Sequence, residues 1–217
     1  MTAFILPEAS ILLDPISASD LLGLQLGQRI VSTYNNSDSM IGAGGLSGEM
    51  NKIQYKLEDG TLLTVVIKTT KETSVVNSQS LGLAREGLFY ASLAPLINSA
   101  FPNILPKVYF SSGNMASGKK LIVMEDLADL KAIQAGYFFG SGSPHNWGKD
   151  LDSLTENVFF DGSAAVEVSR IAFKIAAKFH GIFWMDNKLI IPENSWLRGK
   201  IQSKNVFQVI FNKMYLK

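Results

Sequence analysis

Apolar and polar positions follow one another with a period that changes along the chain, and the changes divide it into elements. Residues 17–27, SASDLLGLQLG, read as a short helix, with Ser17 or Ser19 to cap it and a glycine to end it. After the turn formers YNNSDS (34–39) comes IGAGGLSGEMNKIQYKL, where Met50, Ile53, Tyr55 and Leu57 have roughly strand-like spacing. Glu58, Asp59 and Gly60 form a hairpin-turn signal, and Thr61 to Thr70 is the partner strand. Beyond the polar stretch KETSVVNSQS, the segment LGLAREGLFYASLAPLI (81–97) sets Leu81, Ala84, Leu88, Tyr90, Ala91 and Ala94 at helical spacing, with Pro95 near the end. ILPKVYFSS (104–112) and KLIVMEDL (120–127) read as strands on either side of the turn GNMASGKK. The pattern over the first 130 residues is an antiparallel sheet with one helix inserted after the third strand, an α+β arrangement.

Residues 136–163 are a loop-rich connection. The clearest helix follows, SAAVEVSRIAFKIAAKFHGIFW, in which Val168, Ile171, Ile175, Phe179 and Ile182 recur at spacings of three and four; Asp161 or Ser163 can cap its start. Residues 185–217 mix a loop with an amphipathic helix near FQVIFNKMYLK.

Composition narrows the function. Hydrophobic residues make up 47% and charged residues 18% of the 217, which gives a core-forming rather than a disordered chain. A net charge of +1 offers no electrostatic reason to expect nucleic acid or an anionic membrane as partner. With no cysteine and only His145 and His180, disulfides, thiolate catalysis and cysteine zinc sites are excluded, and a histidine-rich metal site is not expected. Arg29 is the first basic residue, so the start lacks the charge of a signal peptide, and no uncharged apolar run approaches the roughly 18 residues of a membrane span. The expectation is a cytoplasmic protein with no membrane partner.

Candidate chemistry begins at LLTVVIKTT (62–70), an apolar strand that runs into Lys68. A buried, unpaired ammonium is costly, so Lys68 is either at the surface or held by an anion. Upstream, GAGGLSG (42–48) puts four glycines and a serine in seven residues, a loop whose backbone N–H groups can approach phosphate oxygens. It is not a Walker loop, since no GK[ST] follows. Glycine loop, strand, turn and strand ending V-I-K is the order in which a protein-kinase-like lobe presents lysine to the α- and β-phosphates of ATP. Glu86, on the next helix among apolar neighbours, is the carboxylate that can hold Lys68. Glu125, Asp126 and Leu127 end an apolar strand in the manner of a hinge whose backbone binds adenine.

With these residues in place, the chain resembles the aminoglycoside-phosphotransferase and choline-kinase-like superfamily, and within it the ecdysteroid-kinase-like group. The resemblance is carried by GGLSGEMNKIQYKL, TVVIKTT, AREGLFYASL, LPKVYF, LIVMEDLADL and IAAKFHGIFWMDNKLI, in order from about residue 18 to 200. It implies a helical extension over 1–28, a kinase-like ATP lobe over 29–130 and a partial helical lobe over 131–217. It implies nucleotide contacts from Gly44, Gly45, Ser47 and Gly48, phosphate binding by Lys68, support by Glu86, and a hinge at Glu125, Asp126 and Leu127. ATP is the implied cofactor, Mg²⁺ is expected only in a complete family member, and the implied substrate is a small hydroxylated molecule.

The family pattern then breaks. Its chemistry needs an H-G-D-x-x-x-x-N loop and a second, metal-binding aspartate. His145 is followed by Asn146, and His180-Gly181 is followed by Ile182, where the aspartate should stand. FFDG (159–162) matches the metal motif only in reversed order, and His180 is expected as a packed helix residue. No catalytic residue or metal ligand can therefore be named. The expectation is a truncated phosphotransferase chain, inactive alone, whose incomplete lobe a protein partner would cover. The alternatives are a non-catalytic, pseudokinase-like protein that binds nucleotide or a partner, and an unrelated α+β domain in which Glu86 points away from Lys68.

Overall fold

The computed structural model of the chain describes residues 6–35, 48–128, 130–184, 186, 189 and 191–198. Five antiparallel strands form one sheet: β1 (Ile30–Asn35), β2 (Gly48–Leu57), β3 (Leu62–Thr70), β4 (Val108–Asn114) and β5 (Lys119–Glu125), in the order β1-β2-β3-β5-β4. The α+β class and the antiparallel sheet agree with the sequence pattern. The hairpin between β2 and β3 turns at Gly60, whose φ of 88° suits a residue without a Cβ. Asp59 closes the turn by accepting the Thr61 backbone N–H at 2.8 Å.

Alternation along these strands makes two unlike faces. Ile53, Tyr55, Leu57, Val65, Ile67, Leu121 and Val123 are buried on one face, in one core with Leu12, Ala18 and Leu22. Those last three come from a 3-10 turn at Ala9–Leu13 and from α1 (Pro15–Leu26). Tyr55 donates to the Leu12 carbonyl at 3.0 Å, tying the turn to the sheet, and burial pushes its phenol well above its ordinary pKa. The N-terminal segment, expected as an extension, thus supplies part of the core of the sheet. Its helix is capped not by Ser17 or Ser19 but by Asp14, which accepts the Ser17 N–H at 2.8 Å ahead of Pro15. Ser19 instead accepts the Ile30 N–H at 2.8 Å. Gly27, with φ 67°, ends the helix as expected.

The single helix expected over 81–97 is two shorter ones, and a third helix precedes them. α2 (Val75–Leu81) lies in the polar stretch and stops at Gly82; α3 (Arg85–Ser92) and α4 (Ala94–Ala100) follow. Pro95 lacks an N–H and crowds the carbonyl four residues back, which breaks the run after α3. The polar signal of α2 reflects what it binds: Ser78 donates to the Gly118 carbonyl and Gln79 to that of Ala116, both in the β4–β5 turn.

By contacts the chain divides into two compact units, one over Met1–Asp126 with Asn187–Lys217 and one over Leu127–Asp186. The division falls inside the expected hinge, between Asp126 and Leu127. The second unit holds 3-10 segments at Ala135–Gly142 and Pro144–Asn146, α5 (Leu151–Thr155) and α6 (Ala164–Phe183). α6 is the long helix expected, but no residue in it is buried. Ser163 stands at its N-cap without a side-chain cap bond, and His180, expected to be packed, is exposed. The amphipathic helix expected near FQVIFNKMYLK lies outside the described residues. Among the described residues, no helix is long and apolar enough to cross a membrane.

Candidate functional site

The face of the sheet opposite the core carries the charged groups. Met50 on β2 pairs with Lys68 on β3, and Lys68 with Ile122 on β5, so these three side chains share a face. Two residues along the strands, Lys52 and Lys120 belong to the same face. A lysine thus stands on each of β2, β3 and β5 on a face that also carries the buried Val66 and Ile122.

Glu86 reaches this face from the first turn of α3. Its Oε1 accepts from Lys68 Nζ at 2.6 Å, and its Oε2 from Lys120 Nζ. Lys120 is 5% exposed, whereas Lys68 and Glu86 side chains are 27% and 32% exposed. Burial by itself would raise the Glu86 pKa, but the hydrogen bonds and charges of Lys120 and Lys68 outweigh it and hold the carboxyl below its ordinary value. Arg85, the neighbour that could have competed for Glu86, donates instead to the Trp196 carbonyl at 2.9 Å.

Two glycines fix α3 where this pairing requires it. A Cβ on Gly87 would stand 2.2 Å from the Ser112 carbonyl oxygen, and one on Gly113 would stand 2.2 Å from that of Ala84. Helix and strand backbones meet directly here, and Ser111 Oγ donates to the Gly87 carbonyl at 2.7 Å. Gly87 follows Glu86 in sequence, so the contact that seats the helix also sets the height of the carboxylate.

At the other end of the face, Lys52 pairs with Asp126, which is 6% exposed. The three residues expected as a hinge therefore differ in kind. Asp126 is a buried ion-pair partner, and Glu125 Oε1 accepts the Lys107 N–H at 2.6 Å. Leu127 is 43% exposed. Of the glycine loop, Gly44, Gly45 and Ser47 lie outside the described residues. Gly48 opens β2; a Cβ there would sit 3.5 Å from Lys68 Cε, an ordinary contact, so space alone does not demand glycine. Among the described residues, no group of three or more His, Asp or Glu could hold a metal ion.

The sequence reading brought together Lys68 and Glu86, and the two are paired. It missed Lys120 and Lys52. Their signal was the period of two, which puts residues 120, 122 and 124 on one side of a strand, but only the strand register shows which side that is. Comparison with protein-family models, with curated proteins and with solved structures finds no match.

Proposed function

We propose that the lysine face of this sheet binds the phosphates of ATP, and that the chain is a kinase-like phosphotransferase polypeptide of the aminoglycoside-phosphotransferase and choline-kinase-like type. Its substrate class on this reading is a small molecule bearing a hydroxyl. The observation that carries the reading is the Lys68–Glu86 ion pair, 2.6 Å long, between the end of an apolar strand and the adjoining helix. A lysine held by a carboxylate on a sheet of order β1-β2-β3-β5-β4 is suited to a polyphosphate, because its position is set before the anion arrives. The three lysines fit an anion on this face.

ATP, when bound, supplies the transferable phosphoryl group. The residues of the chain bind and orient: Lys68 offers its remaining donors to phosphate oxygens, and Glu86 fixes the ammonium. The Lys52–Asp126 pair anchors the end of β5 where the hinge begins. No general base or metal ligand is assigned.

The sequence contains no H-G-D segment, which favours nucleotide binding without turnover for the chain as it stands. Titration of the 217-residue protein with ATP, followed by an ATP-consumption assay over a panel of small alcohols, tests both statements. Saturable binding with no consumption is expected. Absence of binding overturns the nucleotide reading, and acceptor-dependent consumption overturns the claim of inactivity.

A further inference from the structure

Lys120 is the part of this face that a single lysine–glutamate pair does not account for. It lies on β5 and is 5% exposed, yet among the described residues the only carboxylate paired with it is Glu86. Glu86 is shared, because its other oxygen accepts from Lys68 at 2.6 Å. Two ammonium groups and one carboxylate leave one net positive charge, most of it withdrawn from water. Nothing in the pairing of β3 and β5 requires a cation there. Thr70 Oγ1 accepts the Lys120 backbone N–H at 3.2 Å and donates to the Gly118 carbonyl at 3.2 Å, contacts that any side chain at position 120 would permit. A buried ammonium with half a counter-charge is costly to the free protein, and an arriving anion relieves that cost.

We infer that Lys120 is a positioning residue for the polyphosphate, acting through Glu86: it occupies the second carboxylate oxygen, so that Glu86 orients Lys68 without neutralising it. This rests on the nucleotide reading above. With Lys120 absent, Lys68 and Glu86 form a closed pair of no net charge, and the face loses its attraction for a phosphate chain while keeping its shape. With Lys120 present, the fixed lysine remains cationic towards the ligand. The ligand class is a di- or triphosphate rather than an uncharged nucleoside, since the surplus charge rewards each added negative charge.

The test is calorimetric titration of the full chain with ADP and with adenosine, over a range of salt concentration. Three proteins are compared: the natural sequence, Lys120→Met, and the double variant Lys120→Met with Glu86→Gln. The local charge is then one positive, zero, and one positive again, and the glutamine carbonyl can still accept from Lys68. Lys120→Met is expected to weaken ADP binding by about tenfold and flatten its salt dependence, with adenosine little affected. The double variant is expected to recover ADP affinity to within about threefold of the natural protein. Equal ADP affinity in the natural protein and Lys120→Met overturns the inference, as does a double variant no better than the single one. A loss shared equally by ADP and adenosine assigns Lys120 a purely structural role and overturns it too. If Lys120→Met does not fold, the double variant decides alone, and a loss of more than about tenfold in it counts against the inference. Failure of the natural protein to bind ADP instead removes the nucleotide reading itself.

Discussion

Lys68 and Glu86 contribute equally to one ion pair, but their removal has unequal consequences, because only one of them also serves a buried group. Lys68 is partly solvated, and its pair with Glu86 is screened; Lys68→Met should change stability by no more than about 1 kcal/mol in chemical denaturation. Glu86→Ala strands Lys120, which is 5% exposed, and should cost about 3 kcal/mol in the same experiment. A further expectation concerns acid. The folded-state pKa of Glu86 is lowered from its ordinary 4.5, so its contribution is fully present above that value and is lost as pH falls through the lower, folded pKa. Acid titration of stability should therefore show a loss below about pH 4.5 that is smaller in Glu86→Gln; equal acid sensitivity in both proteins would contradict the assigned pairing. At this scale the pair was legible because Lys68 interrupts an apolar run and Glu86 sits among apolar neighbours. Lys120 was not: at the start of KLIVMEDL, next to Lys119, it reads as a turn lysine, whereas Lys119 pairs with the exposed Glu72 and Lys120 turns inward.

Elements are placed by contacts that periodicity does not encode. The sheet was readable because β2 alternates around Ile53 and Tyr55, while β3 and β5 are short apolar runs, buried continuously over 65–67 and 120–123, between turn residues. The helix after β3 was misread as continuous, because the apolar spacing runs on across Gly82 and Pro95 and the backbone breaks do not interrupt it. The α3–β4 contact was invisible for a related reason. Gly87 and Gly113 look like a helix weakener and a turn residue, and their function is backbone approach. Gly87→Ala should force α3 away from β4, cost about 2 kcal/mol and displace Glu86, reducing ADP affinity as well. A Gly87→Ala protein with unchanged melting temperature and nucleotide affinity would show that the close approach does not seat the carboxylate. Likewise, Tyr55→Phe leaves the Leu12 carbonyl without its 3.0 Å donor and should cost about 1 kcal/mol, read as earlier melting of the N-terminal turn by hydrogen exchange.

Taken as a whole molecule, the two compact units differ in what holds them together. The unit over Met1–Asp126 with Asn187–Lys217 has the sheet core. In Leu127–Asp186 the only buried residue among those described is Asn146, which is 2% exposed and donates to the carbonyls of Gly136 and Gly140. Phe159, Phe173 and Trp184 are 90%, 77% and 76% exposed. A segment without a buried apolar residue opens at low cost, so limited proteolysis should cut within 127–186 before it cuts the sheet, and protection in both at once would contradict this. The helical period of 164–183 was read correctly as a helix, while the packing expected of His180 is not found, because periodicity reports an apolar stripe and not what covers it. In the first unit, the lysine face is proposed as a polyphosphate site organised by the Lys68–Glu86 pair. The most direct measurement is the dissociation constant of ATP for the natural protein and for Lys68→Met, with the melting temperature of each recorded alongside. The expected result is saturable binding weakened at least about tenfold by the substitution, with little change in melting temperature. Equal affinity in the two proteins, or no ATP binding by either, would contradict the account.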